Sequence, residues 1–260
     1  MLLAIDVGNT NIVLGVFEGQ ALGRSWRLAT ARERTGDELG LMVTELLERG
    51  RIEMRAIDGV VMASVVPQLT GPMIDMSKRY LDLTPLNVDA ETDIGMPNLY
   101  AHPSEVGADR LVNGVAAWAL YGRERGTPLI VVDFGTATTF DAISAKGEYL
   151  GGVICPGIQI SADALFQRAA KLPRIDVRKP AAVIGRTTVA SMQSGLFFGY
   201  VEMVGGLVRR VRAELGGTAY CVATGGLAEV ISPETDVVDV VDRDLTLQGL
   251  RMIWERGGGQ

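Results

Sequence analysis

Two stretches of this chain hold the residue types that phosphate chemistry needs. One is Asp133-Phe134-Gly135-Thr136-Ala137-Thr138-Thr139-Phe140-Asp141, which follows the apolar run 129–132. The other is Asp6-Val7-Gly8-Asn9-Thr10-Asn11, which follows Leu2-Leu3-Ala4-Ile5. In each, a buried strand ends on a carboxylate and turns through glycine into hydroxyl or amide side chains. Gly8 serves either a backbone conformation closed to other residues or the close approach of an oxygen. Successive N–H groups in such a turn form a nest for anions, and Asn9, Thr10 and Asn11 add donors. Asp6 would repel a bare phosphate, so its natural role is to hold a cation, Mg²⁺ through water, that bridges phosphates. In the second copy Asp133 can coordinate a cation and Thr136 can donate to a phosphate oxygen. Either turn alone is also an ordinary hairpin. Two copies, at equivalent places of two halves, favour a ligand.

Gly107-Ala108-Asp109-Arg110 stands near the start of a long helix. An ionised Asp is comfortable at a helix N-terminus, and dipole pairing alone would account for it. The same pair also suits a substrate: the carboxylate can accept a hydroxyl proton while the guanidinium forks onto an anion. Gly151-Gly152 and Gly225-Gly226 flank strands, as tight turns or as backbone on which a nucleotide lies. Gly185-Arg186-Thr187-Thr188 offers a cation and two hydroxyls before a helix, with Thr188 a candidate N-cap. His102, the single histidine, reads as a solvated loop residue. No Gly-x-x-x-x-Gly-Lys-Ser/Thr loop, Gly-x-Ser-x-Gly elbow or His-Glu-x-x-His occurs, which removes P-loop, common hydrolase and zinc chemistries.

The elements that position these residues follow from hydrophobic pattern. Strands are expected at 2–5, 12–17, 22–29, 60–66 and 85–88, and again at 129–133, 139–143, 149–154, 219–223 and 236–241. Helices are expected at 37–48, 69–80, 104–121, 158–170, 189–214 and 244–255. Both halves thus read βββαβα, a duplication with halves at 1–122 and 123–260 and a ligand cleft between them. Gly257-Gly258-Gly259 reads as a loose tail. The helix 189–214 carries more apolar residues than one face needs, among them Phe197 and Tyr200, which suits either core or a dimer contact.

At 260 residues and 47% apolar, the chain can bury a core without disulfides. A net charge of −6, with no basic stripe or helix-turn-helix pattern, argues against nucleic acid or anionic membrane as partner. Cys155 and Cys221 read as buried, reduced thiols. The apolar start is too short for a secretory signal, and no run reaches the ~20 residues that span a bilayer. The expected location is cytoplasmic.

These motifs together resemble type III pantothenate kinases, of the acetate and sugar kinase, Hsp70 and actin superfamily. The resemblance rests on 6–11, 103–110, 133–141, 151–157 and 185–188 and runs over nearly the whole chain. It implies an α/β fold of two actin-like (ribonuclease H-like) halves and ATP-dependent phosphorylation of pantothenate, the first step of coenzyme A synthesis. By the same resemblance Asp6, Val7, Gly8, Asn9, Thr10, Asn11, Ile12, Val13 and Thr136 contact ATP. Asp133 binds K⁺ or NH₄⁺, and Tyr100, Gly107, Ala108, Asp109, Arg110 and Thr188 contact pantothenate. Asp109 is the proton acceptor, Mg²⁺ accompanies ATP, and the protein is a homodimer. Two alternatives stand beside this reading: a kinase for another small hydroxy acid or sugar, and a non-catalytic nucleotide-binding regulator.

Overall fold

The computed structural model describes residues 1–258, so Gly259 of the expected tail lies outside the described residues. The chain forms two compact units, one of Met1–Ala116 with the segment from Asp244 onward, the other Ala117–Arg243.

In the first unit β1 (Leu2–Val7), β2 (Asn11–Glu18) and β3 (Ala21–Ala29) form an antiparallel meander. β4 (Gly59–Ser64) then joins β1 in parallel and β5 (Leu86–Val88) joins β4, giving the order β3-β2-β1-β4-β5. The second unit repeats this with β6 (Leu129–Phe134), β7 (Ala137–Ile143), β8 (Tyr149–Pro156), β9 (Tyr220–Gly225) and β10 (Val240–Val241), in the order β10-β9-β6-β7-β8. The two sheets share one topology, as a duplication requires. β1 and β6 are central and covered on both faces, which is why they are written as unbroken apolar runs rather than alternating ones. Asp6 and Asp133 come at their C-terminal ends.

Helix α1 (Gly36–Arg49) starts at a capping box of Thr35 and Glu38 and buries Leu39, Val43 and Leu47. It lies beside α2 (Pro67–Tyr80), both contributing to the core of the first sheet. α3 (Ala108–Ala117) begins later than the pattern suggested. Pro103–Glu105 forms a separate 3₁₀ turn and Val106 is extended. The expected end of that helix, Trp118–Gly122, takes π geometry.

In the second unit α4 (Ile158–Arg168) and the 27-residue α5 (Thr188–Glu214) pack with the sheet. Phe197, Val204 and Val208 of α5 join Ile130, Phe140 and Cys221 in the core, and Tyr200 is buried with them. The apolar surplus of this helix is therefore core of its own unit. A short helix, α6 (Ala228–Ile231), adds to the elements that the pattern predicts. The strand expected over 236–241 shrinks to two residues, after a 3₁₀ turn at Ser232–Glu234.

The last helix, α7 (Leu245–Arg256), lies in the second half by sequence but packs on β1, β2 and β4 of the first. Leu247 fills space left by Gly15, and Trp254 fills that left by Gly59. Division by sequence order and division by packing differ at this helix. Among the described residues no helix is long and apolar enough to cross a membrane. Cys155 and Cys221 are both free thiols; Cys221 is buried as expected, whereas Cys155 on β8 is only partly so.

Candidate active site

The first turn is a tight hairpin. Val7 pairs with Ile12, and the Gly8 N–H donates to the Asn11 carbonyl at 3.0 Å. Gly8 does not use a left-handed backbone; a Cβ there would stand 3.0 Å from the Asn11 oxygen, so close approach is its reason. Its N–H is spent inside the hairpin, which leaves donation to a ligand to the exposed tip, Asn9 and Thr10. Val7 and Ile12 are fully buried in the core. Any contact they make with a ligand runs through the backbone. The segment after β3 ties the turn down: Thr30 Oγ1 donates to the Gly8 carbonyl at 2.7 Å, and its N–H to the Thr10 carbonyl at 3.0 Å.

Gly107–Arg110 opens α3. The Gly107 carbonyl accepts the Arg110 N–H at 3.1 Å, and Asp109 Oδ1 accepts the same N–H at 2.8 Å. A Cβ on Gly107 would lie 2.6 Å from that Oδ1. Burial pushes the Asp109 carboxyl above the ordinary carboxylate range, against the opposing pull of the Arg110 N–H and guanidinium. Arg110 itself is buried. Val65, just past β4, links this segment to the first turn: its N–H bonds the Val7 carbonyl at 3.0 Å, and its side chain is the next neighbour of Gly107.

Tyr100 sits in the irregular segment before α3, which is pinned at both ends. Arg256 of α7 pairs with Asp93 at 3.1 Å, and Asp93 also accepts the Gly95 N–H at 3.0 Å. Asn98 then accepts the Tyr100 N–H at 3.1 Å and donates to the Pro103 carbonyl at 3.3 Å. His102 is exposed, as a loop residue should be.

The second turn is one residue shorter: Asp6 faces Val13, seven positions on, whereas Asp133 faces Thr139, six positions on. Of its hydroxyls only Thr136 stands exposed. Thr138 is buried and hydrogen-bonded to the Tyr200 hydroxyl of α5. Thr139 donates to Asp141 at 3.0 Å, and Tyr149 donates to the same fully buried carboxylate at 2.7 Å. Asp141 thus serves the sheet interior.

Two glycines frame this turn. The Gly157 N–H, at the head of α4, donates to the Thr136 carbonyl at 3.1 Å, and a Cβ on Gly157 would overlap that carbonyl. Gly225, at φ +89°, lies against Asp133 so closely that a Cβ would overlap its carboxylate. Gly151 takes a left-handed backbone at the irregular step between β7 and β8.

At α5 the N-cap is Thr187, whose side chain accepts the Ala190 N–H at 3.1 Å. Thr188 is the first helical residue, not the cap. The reason is local: Thr187 keeps the extended backbone a cap needs, while Thr188 has already turned. Gly185 packs against the backbone of Ser191, folding Arg186 and Thr188 around an open recess of ≈ 690 Å³. A helix N-terminus, an arginine and the Thr188 hydroxyl, which the cap does not use, suit a small carboxylate.

A family model described as type III pantothenate kinase matches residues 2–210. A type III pantothenate kinase of Moorella thermoacetica is 54% identical over 256 residues, covering 98% of this chain and 99% of that protein. Another, of Myxococcus xanthus, is 53% identical over 256 residues, 98% of each. Among solved structures, an inorganic polyphosphate/ATP-glucomannokinase of Arthrobacter sp. strain KM superposes with a TM-score of 0.53 at 16% identity, covering 100% of this chain and 99% of that one. At that identity the superposition speaks for the fold alone.

Proposed function

The chain belongs to the type III pantothenate kinase family, and from that premise we propose that it transfers the γ-phosphoryl group of ATP to the primary alcohol of pantothenate. The product is 4′-phosphopantothenate, and the step opens coenzyme A synthesis. The observation that carries this reading is identity above half, along nearly the whole chain, to proteins of that name.

Each site segment has a part in such a reaction. The exposed tip of the first turn, with Thr136 of the second, would hold the phosphates. Tyr100 and 107–110, with Thr188 and Arg186 at the head of α5, would hold pantothenate, its carboxylate directed to a cation and a helix N-terminus. As the alcohol oxygen bonds to Pγ and the bond from Pγ to the β-phosphate oxygen breaks, the alcohol proton passes to Asp109. The burial that raises the Asp109 carboxyl makes it a better proton acceptor than an ordinary aspartate.

Two cations fit the donor set. Asp133 presents a hard carboxylate beside the backbone of Gly225, suited to K⁺ or NH₄⁺. Among the described residues no group of three or more His, Cys, Asp or Glu gathers for a metal. Mg²⁺ would take Asp6 together with phosphate oxygens and water. Bound there, the cations neutralise charge developing on the phosphates. A homodimer and a cytoplasmic location belong to the same proposal; exposed Ile154, Val183 and Ile184 on the second unit offer apolar surface for a second copy.

The test is direct. Purified protein with MgATP, KCl and pantothenate should release ADP and yield 4′-phosphopantothenate by mass spectrometry. Absence of product, with ATP intact, would sink the function.

A further inference from the structure

The first turn has a carboxylate, Asp6, and no cation anywhere in 6–13, although its proposed ligand carries several negative charges. The segment after β3 supplies one. Thr30 fastens that segment to the turn by its two hydrogen bonds to Gly8 and Thr10. Two residues on, Arg32 reaches back, with Nη2 3.4 Å from Asn9 Oδ1 at the exposed tip. The neighbouring charges are disposed otherwise. Arg34 donates to the Ala29 carbonyl at 3.0 Å and lies near Glu38, while Glu33 is exposed.

We propose that Arg32 is a specificity residue of the nucleotide site, acting on the polyphosphate in two ways; this rests on the reading of the first turn as a nucleotide site. First, it brings the positive charge that the turn lacks to the place where phosphate oxygens would lie. Second, it orients Asn9. An Asn amide can present either its oxygen or its NH₂ group outward, and a guanidinium can only donate. With Oδ1 held toward Arg32, the Nδ2 donors face away from the guanidinium and are available to an anion. Arg32 itself is exposed and belongs to no core cluster, so its loss should leave the fold intact.

The experiment compares wild type with Arg32→Ala and Arg32→Lys, using MgATP and, as a probe without phosphates, adenosine. One charge-assisted hydrogen bond at an exposed site corresponds to about tenfold in affinity. Arg32→Ala should raise the KM for MgATP by about that factor and leave adenosine inhibition and the KM for pantothenate unmoved. Arg32→Lys should recover part of the loss. The orienting role adds a second readout: Asn9→Ala and Arg32→Ala should be less than additive on MgATP binding. An unchanged KM for MgATP in Arg32→Ala overturns the proposal. So does an equal loss for ATP and adenosine, which would mean general distortion of the turn. Should wild type bind MgATP in calorimetry yet phosphorylate no pantothenate, the functional reading fails by itself, and the same variants decide Arg32 by binding. Wild type that binds no MgATP overturns both.

Discussion

Gly107 and Asp109 are fitted to one another: the Asp109 carboxylate occupies the space beside Gly107, where a Cβ would stand 2.6 Å from Oδ1. The same oxygen accepts the Arg110 N–H at 2.8 Å, so it cannot retreat without losing that bond. Gly107→Ala is therefore expected to turn the carboxylate away from its position. Turnover should fall by roughly tenfold or more, since small displacements of a reacting group are costly, while the melting temperature moves little. Unchanged turnover in Gly107→Ala would show that the position of Asp109 is not critical.

With Asp109 as the proposed proton acceptor, its raised carboxyl is expected to set a pH dependence. Only the ionised form accepts a proton, so kcat/KM should climb with pH through a value above the ~4 of an ordinary aspartate. Asp109→Asn should lose on the order of 10²–10⁴-fold in turnover, with ATP binding kept. Stability moves the other way. A carboxyl whose folded pKa is raised stabilises the fold below its unfolded value, and that contribution is lost as pH rises through the folded value. Asp109→Asn, which cannot ionise, should thus melt higher than wild type at neutral pH, and the gap should close in acid. Melting curves across that range check the sign; a gap that widens in acid contradicts it.

At the second turn, Gly225 leaves no room for a side chain beside Asp133, and its φ of +89° disfavours one as well. Gly225→Ala and Asp133→Ala should both weaken activation by KCl, read as activity against salt concentration at fixed ionic strength. A full response to K⁺ in Asp133→Ala would remove it as the cation ligand.

Much of this arrangement is legible in the chain. Unbroken apolar runs ending on Asp6 and Asp133 announce central strands, because only strands covered on both faces are written that way. The apolar stripe over 37–48 announces α1, and the reciprocal bonds of Thr35 and Glu38 fix where it starts. What is not legible depends on partners distant in sequence. Nothing in residues 244–255 says that α7 returns to the first sheet; Gly15 and Gly59 make room for it, but each reads as a lone strand glycine until the helix is seen. The Thr138–Tyr200 pair and the contact of Gly157 with Thr136 arise in the same way, from elements that meet only in three dimensions. Such glycines are a signal nonetheless: one directly before a helix or just after a strand, beside a carboxylate turn, marks a backbone that something must approach.

The two threonines at the head of α5 differ in what they hold, and under the proposed function one serves folding and the other binding. Both line the recess, but the Thr187 hydroxyl is engaged as the cap by the Ala190 N–H, whereas Thr188 beside it makes no cap bond. Removing a cap typically costs about 1 kcal/mol. Thr187→Ala should therefore lower the melting temperature by a few degrees and loosen the recess with it, since Gly185 packs on the turn that the cap holds. Thr188→Val keeps the shape and removes only the hydroxyl. It should leave the melting temperature in place and raise the KM for pantothenate, with the KM for ATP unmoved. Calorimetric melting with kinetics in both substrates tests the pair. The opposite pattern, a stable Thr187→Ala with a weakened pantothenate site and an unstable Thr188→Val, would exchange the two roles.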